Sequence, residues 1–151
     1  MSARQASGSR GQSLLEFALV IPLVLLLLMG LFDFGRAIYA YNTLSNAARD
    51  GARRAIVDQR IVSGVSVAAQ EAADQATALA LDPTDASEIL VEYKTPNLSA
   101  DCPATLPEWT GCVAVVTVNW QFQAITPIIG SFIGPITLSS TTKLPVEATN
   151  R

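Results

Sequence analysis

The stretch Gly11-Gln12-Ser13-Leu14-Leu15-Glu16-Phe17 opens a long apolar run. From Leu14 to Phe32, Glu16 is the only charged residue. As a helix with a rise of ~1.5 Å per residue, this run covers about 28 Å, close to the ~30 Å hydrocarbon core of a bilayer. The sequence therefore predicts a membrane-spanning helix over residues 14–32.

Glu16 is a carboxylate just inside the start of this apolar run. A charged group costs about 2.5–3.5 kcal/mol at the centre of a membrane helix and less near its end, so such a group is a functional-site candidate. The alternative is that Glu16 lies hydrated at the headgroup level and interacts favourably with the dipole of the first helical turn. Its position alone leaves both interpretations open.

Residues 1–11 are small and polar, with two arginines and no acid, and Glu16 is the fifth residue after them. Gly30-Leu31-Phe32-Asp33-Phe34-Gly35-Arg36-Ala37 and Asn46-Ala47-Ala48-Arg49-Asp50-Gly51-Ala52-Arg53 follow. This pattern resembles the TadE-like minor pilins and pseudopilins of the tight-adherence (Flp-type, type IV-like) pilus system. The resemblance is specific over residues 10–56 and only architectural beyond them.

The resemblance implies that residues 1–11 are a leader peptide and that a membrane prepilin peptidase cuts between Gly11 and Gln12. It also implies that the Glu16 carboxylate pairs with the new amino terminus of its own or a neighbouring subunit. A carboxylate in lipid is costly until it meets a cation, and cleavage creates one. Pro22 is tolerable in a membrane helix and would permit local melting during assembly. Gln12 departs from the aromatic or Met that begins many mature type IV pilins.

Helical periodicity continues after the membrane run and predicts one long helix over residues 12–57. Its expected apolar stripe consists of Phe34, Ala37, Ile38, Tyr41, Leu44, Ala48, Ala52, Ala55 and Ile56. Gly30, Gly35 and Gly51 are soft points where this helix can bend. Residues 63–81 predict a second, Ala-rich helix, which Ser63 or Ser66 would cap.

Three later segments have the alternating pattern of strands, namely Ile89–Tyr93, Val113–Phe122 and Ile136–Val146. They predict a small antiparallel sheet with one apolar face, which the stripe of the long helix would cover. The fold class is therefore α+β and pilin-like, with an extracytoplasmic domain over residues 58–151. The apolar but Gly- and Pro-rich segment 124–135 favours packing in the core or near the membrane over a dedicated partner site.

The net charge of −3 is unevenly distributed. Residues 36–60 carry +3 (five Arg against two Asp), whereas residues 61–151 carry −6 (nine acids against three bases). An acidic domain argues against nucleic-acid binding. The basic part either contacts anionic headgroups or acidic partners, or is simply a solvated helix face.

Cys102 and Cys112 are the only cysteines, and the chain has no histidine. In an extracytoplasmic compartment we expect one disulfide, whereas a reducing compartment would leave two free thiols. Two cysteines without histidine make a poor metal site. Without histidine there is no Ser-His-Asp or Cys-His arrangement, so the sequence nominates no catalytic residue, cofactor, metal or small-molecule substrate.

The sequence thus predicts a non-enzymatic minor pilin or pseudopilin of a Tad-type pilus, which serves adhesion. It would span the cytoplasmic (inner) membrane once, with the amino terminus in the cytoplasm and the sheet domain outside, or lie in an extracellular pilus. Its partners would be the lipid bilayer, the prepilin peptidase, other pilin subunits and the pilus assembly machinery. The alternative is an uncleaved, single-pass anchored module that binds or supports other molecules outside the membrane.

Overall fold

Helix α1 runs from Gly8 to Val57 and connects the predicted membrane segment to the rest of the protein. The computed structural model describes residues 8–102, 111–126, 130–131 and 133–146. The single long helix predicted over residues 12–57 is present, but it begins four residues earlier. Gly11 therefore lies inside the helix, as does Pro22.

A short hairpin replaces the first part of the predicted second helix. Strands β1 (Ile61–Val62) and β2 (Val65–Ser66) pair antiparallel around Ser63 and Gly64, whose φ angles are 55° and 84°. Two consecutive positive φ angles are typical of a two-residue hairpin turn, and this conformation stops a helix from starting at residue 63.

Helix α2 consequently spans only Val67–Gln75, and a 3₁₀ turn follows at Thr77–Leu79. Of the two predicted caps, Ser66 is the one used, since its Oγ accepts a hydrogen bond from the Ala69 amide at 3.0 Å. The alanine face of α2 is buried as predicted, and its small side chains allow α1 and α2 to approach closely.

The predicted three-stranded sheet is confirmed, with strands β3 (Ile89–Lys94), β4 (Val113–Phe122) and β5 (Ile136–Pro145) in the order β3-β4-β5. Both pairings are antiparallel, and Phe122 is the register partner of Ile136. The long helix packs on β4 and β5, so the architecture is the predicted α+β arrangement of helices on one face of a sheet.

The buried face of α1 differs from the predicted stripe. Phe34, Ile38 and Tyr41 are about half to two-thirds exposed, whereas Asp33 and Gly51 are buried. The predicted stripe combined two neighbouring helix faces, and the face that packs is the one with the smaller side chains. Its buried apolar members are Ala40, Leu44, Ala47, Ala48, Ala52 and Ala55.

Gly51 marks the closest approach between α1 and the rest of the domain. A Cβ atom at this position would lie 3.0 Å from the Ala72 Cβ, 3.1 Å from the Ala68 carbonyl oxygen and 3.3 Å from the Val116 Cγ1. Gly35, by contrast, has no atom within 4 Å of the corresponding position. Gly51 is thus a packing residue, which explains its place in a helix better than the bending suggested from the sequence.

We therefore expect Gly51→Ala and Gly35→Ala to have opposite effects on stability. Gly35→Ala should stabilise by about 0.5–1 kcal/mol because alanine is the better helix former. Gly51→Ala should destabilise by about 1–2 kcal/mol because the new methyl group meets the Ala68 backbone. Chemical unfolding of both full-length variants in the same detergent measures the difference. Stabilisation by both substitutions would contradict the packing role of Gly51.

Candidate assembly site and membrane-proximal clamp

The first half of α1 has no protein covering its apolar side chains. None of residues 14–32 is buried, and Leu19 remains 74% exposed. Among the described residues, α1 is the one helix long and apolar enough to cross a membrane. An apolar surface of this size in water is unfavourable, so the arrangement is consistent with a membrane anchor.

Gly11, Gln12 and Glu16, the residues predicted for processing and charge pairing, all lie on α1 within two turns of one another. The Gln12 side-chain amide donates a hydrogen bond to Glu16 Oε1 at 3.4 Å, one turn away. Gly11 is exposed, and a Cβ at this position would have nothing within 4 Å. The structure thus brings Gly11, Gln12 and Glu16 to one accessible end of α1, while residues 1–7 of the predicted leader lie outside the described residues.

Pro22 lies ten residues after Gln12, in the middle of the exposed segment. Proline has no amide hydrogen, so the Ala18 carbonyl four residues earlier loses its usual donor in the helix. This missing hydrogen bond makes the segment around Pro22 easier to bend or open than the surrounding turns.

Cys102 and Cys112 form a disulfide, with their Cα atoms 6.3 Å apart. The Cys102 amide donates to the Tyr93 carbonyl, and the Cys112 carbonyl accepts from the Val146 amide, both at 2.8 Å. The disulfide therefore joins the end of β3 to the start of β4. This end of the sheet lies next to the carboxyl end of α1, because the Tyr93 hydroxyl donates to the Ala55 carbonyl at 3.0 Å.

The opposite end of the sheet is attached to α1 by Asp33, a residue that sequence reasoning did not single out. Asp33 is only 6% exposed, and its carboxylate accepts hydrogen bonds from the backbone amides of Ile125 and Thr126, both at 2.9 Å. The Thr126 hydroxyl donates a third at 2.6 Å. We call this arrangement the membrane-proximal clamp, because Asp33 directly follows the predicted membrane segment.

Arg36 completes the clamp on its exposed side. Its guanidinium lies 3.6 Å from an Asp33 carboxylate oxygen and 5.7 Å from the centre of the Phe122 ring. A buried carboxylate is stable only when hydrogen bonds and countercharge replace its hydration. The three donors and Arg36 supply both, so the segment after β4 is fixed to α1 just beyond the predicted membrane segment.

The position of Asp33 in the helical pattern was a usable signal. It lies four residues before Ala37 and seven before Ala40, on the face that packs against the sheet. A charged residue on such a face must find a partner elsewhere in the chain. The partner is part of the predicted 124–135 segment, in which Thr126 is buried near the membrane boundary but Ile125 and Ile133 stay exposed. Residues 127–129 and 132 of that segment lie outside the described residues.

Most of the arginines after the membrane segment form ion pairs within the chain. Arg36 pairs with Asp33, Arg53 with Asp50, and both Arg54 and Arg60 with Asp58. Of the five arginines between residues 36 and 60, only Arg49 has no ion pair to a described residue. Most of the positive charge of this region is therefore balanced by carboxylates of the same chain.

Asp58 is the electrostatic centre at the far end of α1. Hydrogen bonds from the Arg60 guanidinium hold the pKa of the Asp58 carboxyl well below its usual range. Burial raises the pKa of Tyr93 to about 12, and the Asp58 charge acts in the same direction. Within the part of the chain that the structure describes, no cluster of three or more His, Cys, Asp or Glu side chains is placed to hold a metal ion.

These features define a class of protein, namely an α+β protein with a long, exposed, apolar amino-terminal helix that is consistent with a membrane anchor. The family model described as TadE-like protein matches residues 11–53. This match confirms the predicted resemblance over the amino-terminal helix, and the TadE-like family suggests a protein associated with a Tad pilus. The matched region begins at Gly11 and includes Asp33, whereas the sheet lies outside it. Comparisons with curated proteins and with solved structures gave no significant match.

The clamp predicts that Asp33→Asn frees the segment after β4. The asparagine amide nitrogen would face one of the backbone amides that now donate to the carboxylate, so at least one hydrogen bond is lost. Hydrogen exchange of the Ile125 and Thr126 amides should become at least about tenfold faster, as expected for loss of a bond to a charged acceptor. Exchange mass spectrometry on the full chain in detergent measures this change.

Asp50→Asn is the matched control, because Asp50 is on the same helix and makes an exposed ion pair with Arg53. Such a pair contributes little, so exchange around residues 125–126 should not change. Equal protection in wild type and Asp33→Asn would show that the clamp does not hold this segment.

Proposed function

We propose that this protein is a minor pilin or pseudopilin that is processed after Gly11 and takes part in assembly of a Tad-type pilus for adhesion. The observation that carries the proposal is the TadE-like match, which starts at Gly11 and covers an exposed apolar helix. In this proposal the amino terminus lies in the cytoplasm, and the sheet domain lies outside the inner membrane.

The two halves of α1 support a role in assembly. The second half buries its alanine face against α2, β4 and β5 of the same chain. The first half buries nothing within the chain and is available to lipid before assembly and to neighbouring helices afterwards. Other pilin subunits and the pilus assembly machinery are the partners that this surface suits.

Cleavage would create the cation that Glu16 lacks. In the uncleaved chain Glu16 is close to the neutral side chain of Gln12. After cleavage, Gln12 carries a free ammonium group one turn away, within the reach expected for neighbouring positions of a helix. The pairing of this group with Glu16 of the same or a neighbouring subunit would favour mature subunits over unprocessed ones.

The helix must open locally if a peptidase is to reach the bond between Gly11 and Gln12. Glycine inside a helix is less stable than alanine by about 0.5–1 kcal/mol, which makes such opening easier at Gly11. The exposure of this end of α1 leaves room for the prepilin peptidase. Nothing in this role requires chemistry by the protein itself, so we propose a structural rather than an enzymatic function.

The first prediction is that the protein from cells begins at Gln12 when a prepilin peptidase is present. Intact mass and amino-terminal sequencing of membrane and sheared-filament fractions measure this directly. Gly11→Leu should leave the chain full length, whereas the leader variant Gly8→Ala should be cut normally. A full-length wild-type chain in the presence of the peptidase would favour the alternative, an anchored extracytoplasmic module that is never cleaved and joins no filament.

The second prediction concerns the charge of Glu16. Glu16→Lys should insert into the membrane normally but enter filaments at least about tenfold less, because a repulsive pair replaces an attractive one in a medium with weak screening. Quantitative immunoblotting of sheared filaments against membranes measures the ratio.

Gln12→Ala serves as its control, since it removes the side-chain hydrogen bond to Glu16 but keeps the amino terminus that cleavage creates. This variant should enter filaments like the wild type. Normal incorporation of Glu16→Lys would refute the pairing mechanism, even if cleavage after Gly11 were established.

A further inference from the structure

An apolar cavity lies beside the membrane-proximal clamp, between α1 and the end of the sheet. Its volume is about 200 Å³, and Asp33 is the one charged residue among the described residues that line it. The other lining residues are glycine or apolar, and they include Gly30, Ala37, Phe122, Ala124, Ile133 and Ile136. The cavity is therefore suited to a hydrocarbon group.

The position of the cavity relative to the bilayer follows from the residues of α1 that line it. Gly30 belongs to the last turn of the 14–32 membrane segment, and Ala37 is five residues beyond Phe32. At ~1.5 Å per residue, the cavity reaches from inside the hydrocarbon core to about 8 Å above it. The headgroup layer has about this thickness. The cavity thus lies where the upper methylene groups of a phospholipid meet its headgroup.

A cation stands at the rim of the cavity. Arg36 is about half exposed and contacts two lining residues, with its guanidinium 3.6 Å from the Asp33 carboxylate and 5.7 Å from the Phe122 ring centre. Arg49, in contrast, lies 17 residues beyond Phe32, or about 25 Å along the helix. That distance is more than twice the screening length of ~8–10 Å. Arg36 is therefore the arginine of residues 36–60 placed to meet a phosphate.

We propose that the cavity binds a phospholipid of the surrounding leaflet, with the upper part of one acyl chain inside and the phosphate beside Arg36. Two observations favour lipid over a protein partner. The cavity shares Gly30 with the exposed apolar segment of α1, and the half-exposed Arg36 at its rim has N–H donors for a phosphate besides its ion pair with Asp33. The proposal requires membrane anchoring but not cleavage or filament assembly.

Trp120 provides a reporter, because its ring centre is 6.2 Å from that of the cavity residue Phe122. The experiment uses the full chain with Trp109→Phe, so that Trp120 is the only tryptophan. It is reconstituted at one copy per nanodisc, which excludes a second copy as the occupant. Trp120 fluorescence is compared in phosphatidylcholine with and without bromine on the upper acyl chain, since bromine quenches nearby tryptophan.

We expect Trp120 to be quenched in the brominated discs. Ala37→Phe and Ala124→Phe fill the cavity from opposite walls, and each should reduce the quenching by at least half. Ala18→Phe makes the same change in the exposed part of α1 and should leave the quenching as it was. Arg36→Gln should also reduce quenching, because the phosphate loses its countercharge.

Absence of quenching would overturn the proposal. Quenching that persists in both filled variants would overturn it as well, because it would show that Trp120 merely lies near the bilayer surface. Near-ultraviolet circular dichroism of each variant verifies folding, and Ala124→Phe provides an independent test if Ala37→Phe is unfolded. These results do not depend on prepilin processing, so the lipid site and the pilin role can fail separately.

Discussion

Helix α1 has one part suited to lipid and one part suited to water and protein, and the rest of the structure depends on how the two parts are joined. From Phe17 to Phe32 its surface is apolar on all sides and is not covered by protein, as a membrane segment requires. After Phe32 the face with small side chains is buried against α2 and the sheet, whereas Phe34, Ile38 and Tyr41 on the neighbouring face stay about half to two-thirds exposed. Asp33 is the first residue after this change. Its charge would be too costly inside the hydrocarbon core, but here the folded domain supplies hydrogen bonds to its carboxylate.

The clamp at Asp33 and the close packing at Gly51 fix the sheet along α1 at two separated points. They are 18 residues, or about 27 Å, apart along the helix. Tyr93 adds a third attachment near the end of α1 through its hydrogen bond to the Ala55 carbonyl. Because the same helix also carries Glu16, with Pro22 as its weak point in between, a position imposed on Glu16 restricts where the sheet domain of the same subunit stands as long as the turns around Pro22 stay helical.

Features that repeat along the chain could be predicted from the sequence, whereas contacts between distant segments could not. The alternation of Val113–Phe122 gave the bounds of β4 correctly, because a strand with one buried face has a strict period of two. The predicted stripe of α1 differs from the face that packs. Hydrophobicity favoured the large side chains of Phe34 and Tyr41, whereas the face that packs carries small residues such as Ala40 and Ala47. The bond between Asp33 and Thr126 spans 93 residues, and no local pattern records it.

Gly51 and Glu16 differ in the same way, because the role of one depends on contacts inside the subunit and the proposed role of the other on groups outside it. The role of Gly51 follows from distances to three named atoms, all inside the folded subunit. The proposed role of Glu16 depends on an ammonium group that exists only after cleavage and on neighbours outside the chain. A single subunit can place Gln12 and Glu16 one turn apart, as it does here, but the free energy of their pairing is set by the lipid or the filament around them. That dependence is what would make this carboxylate respond to processing, because the same side chain is costly before cleavage and neutralised after it.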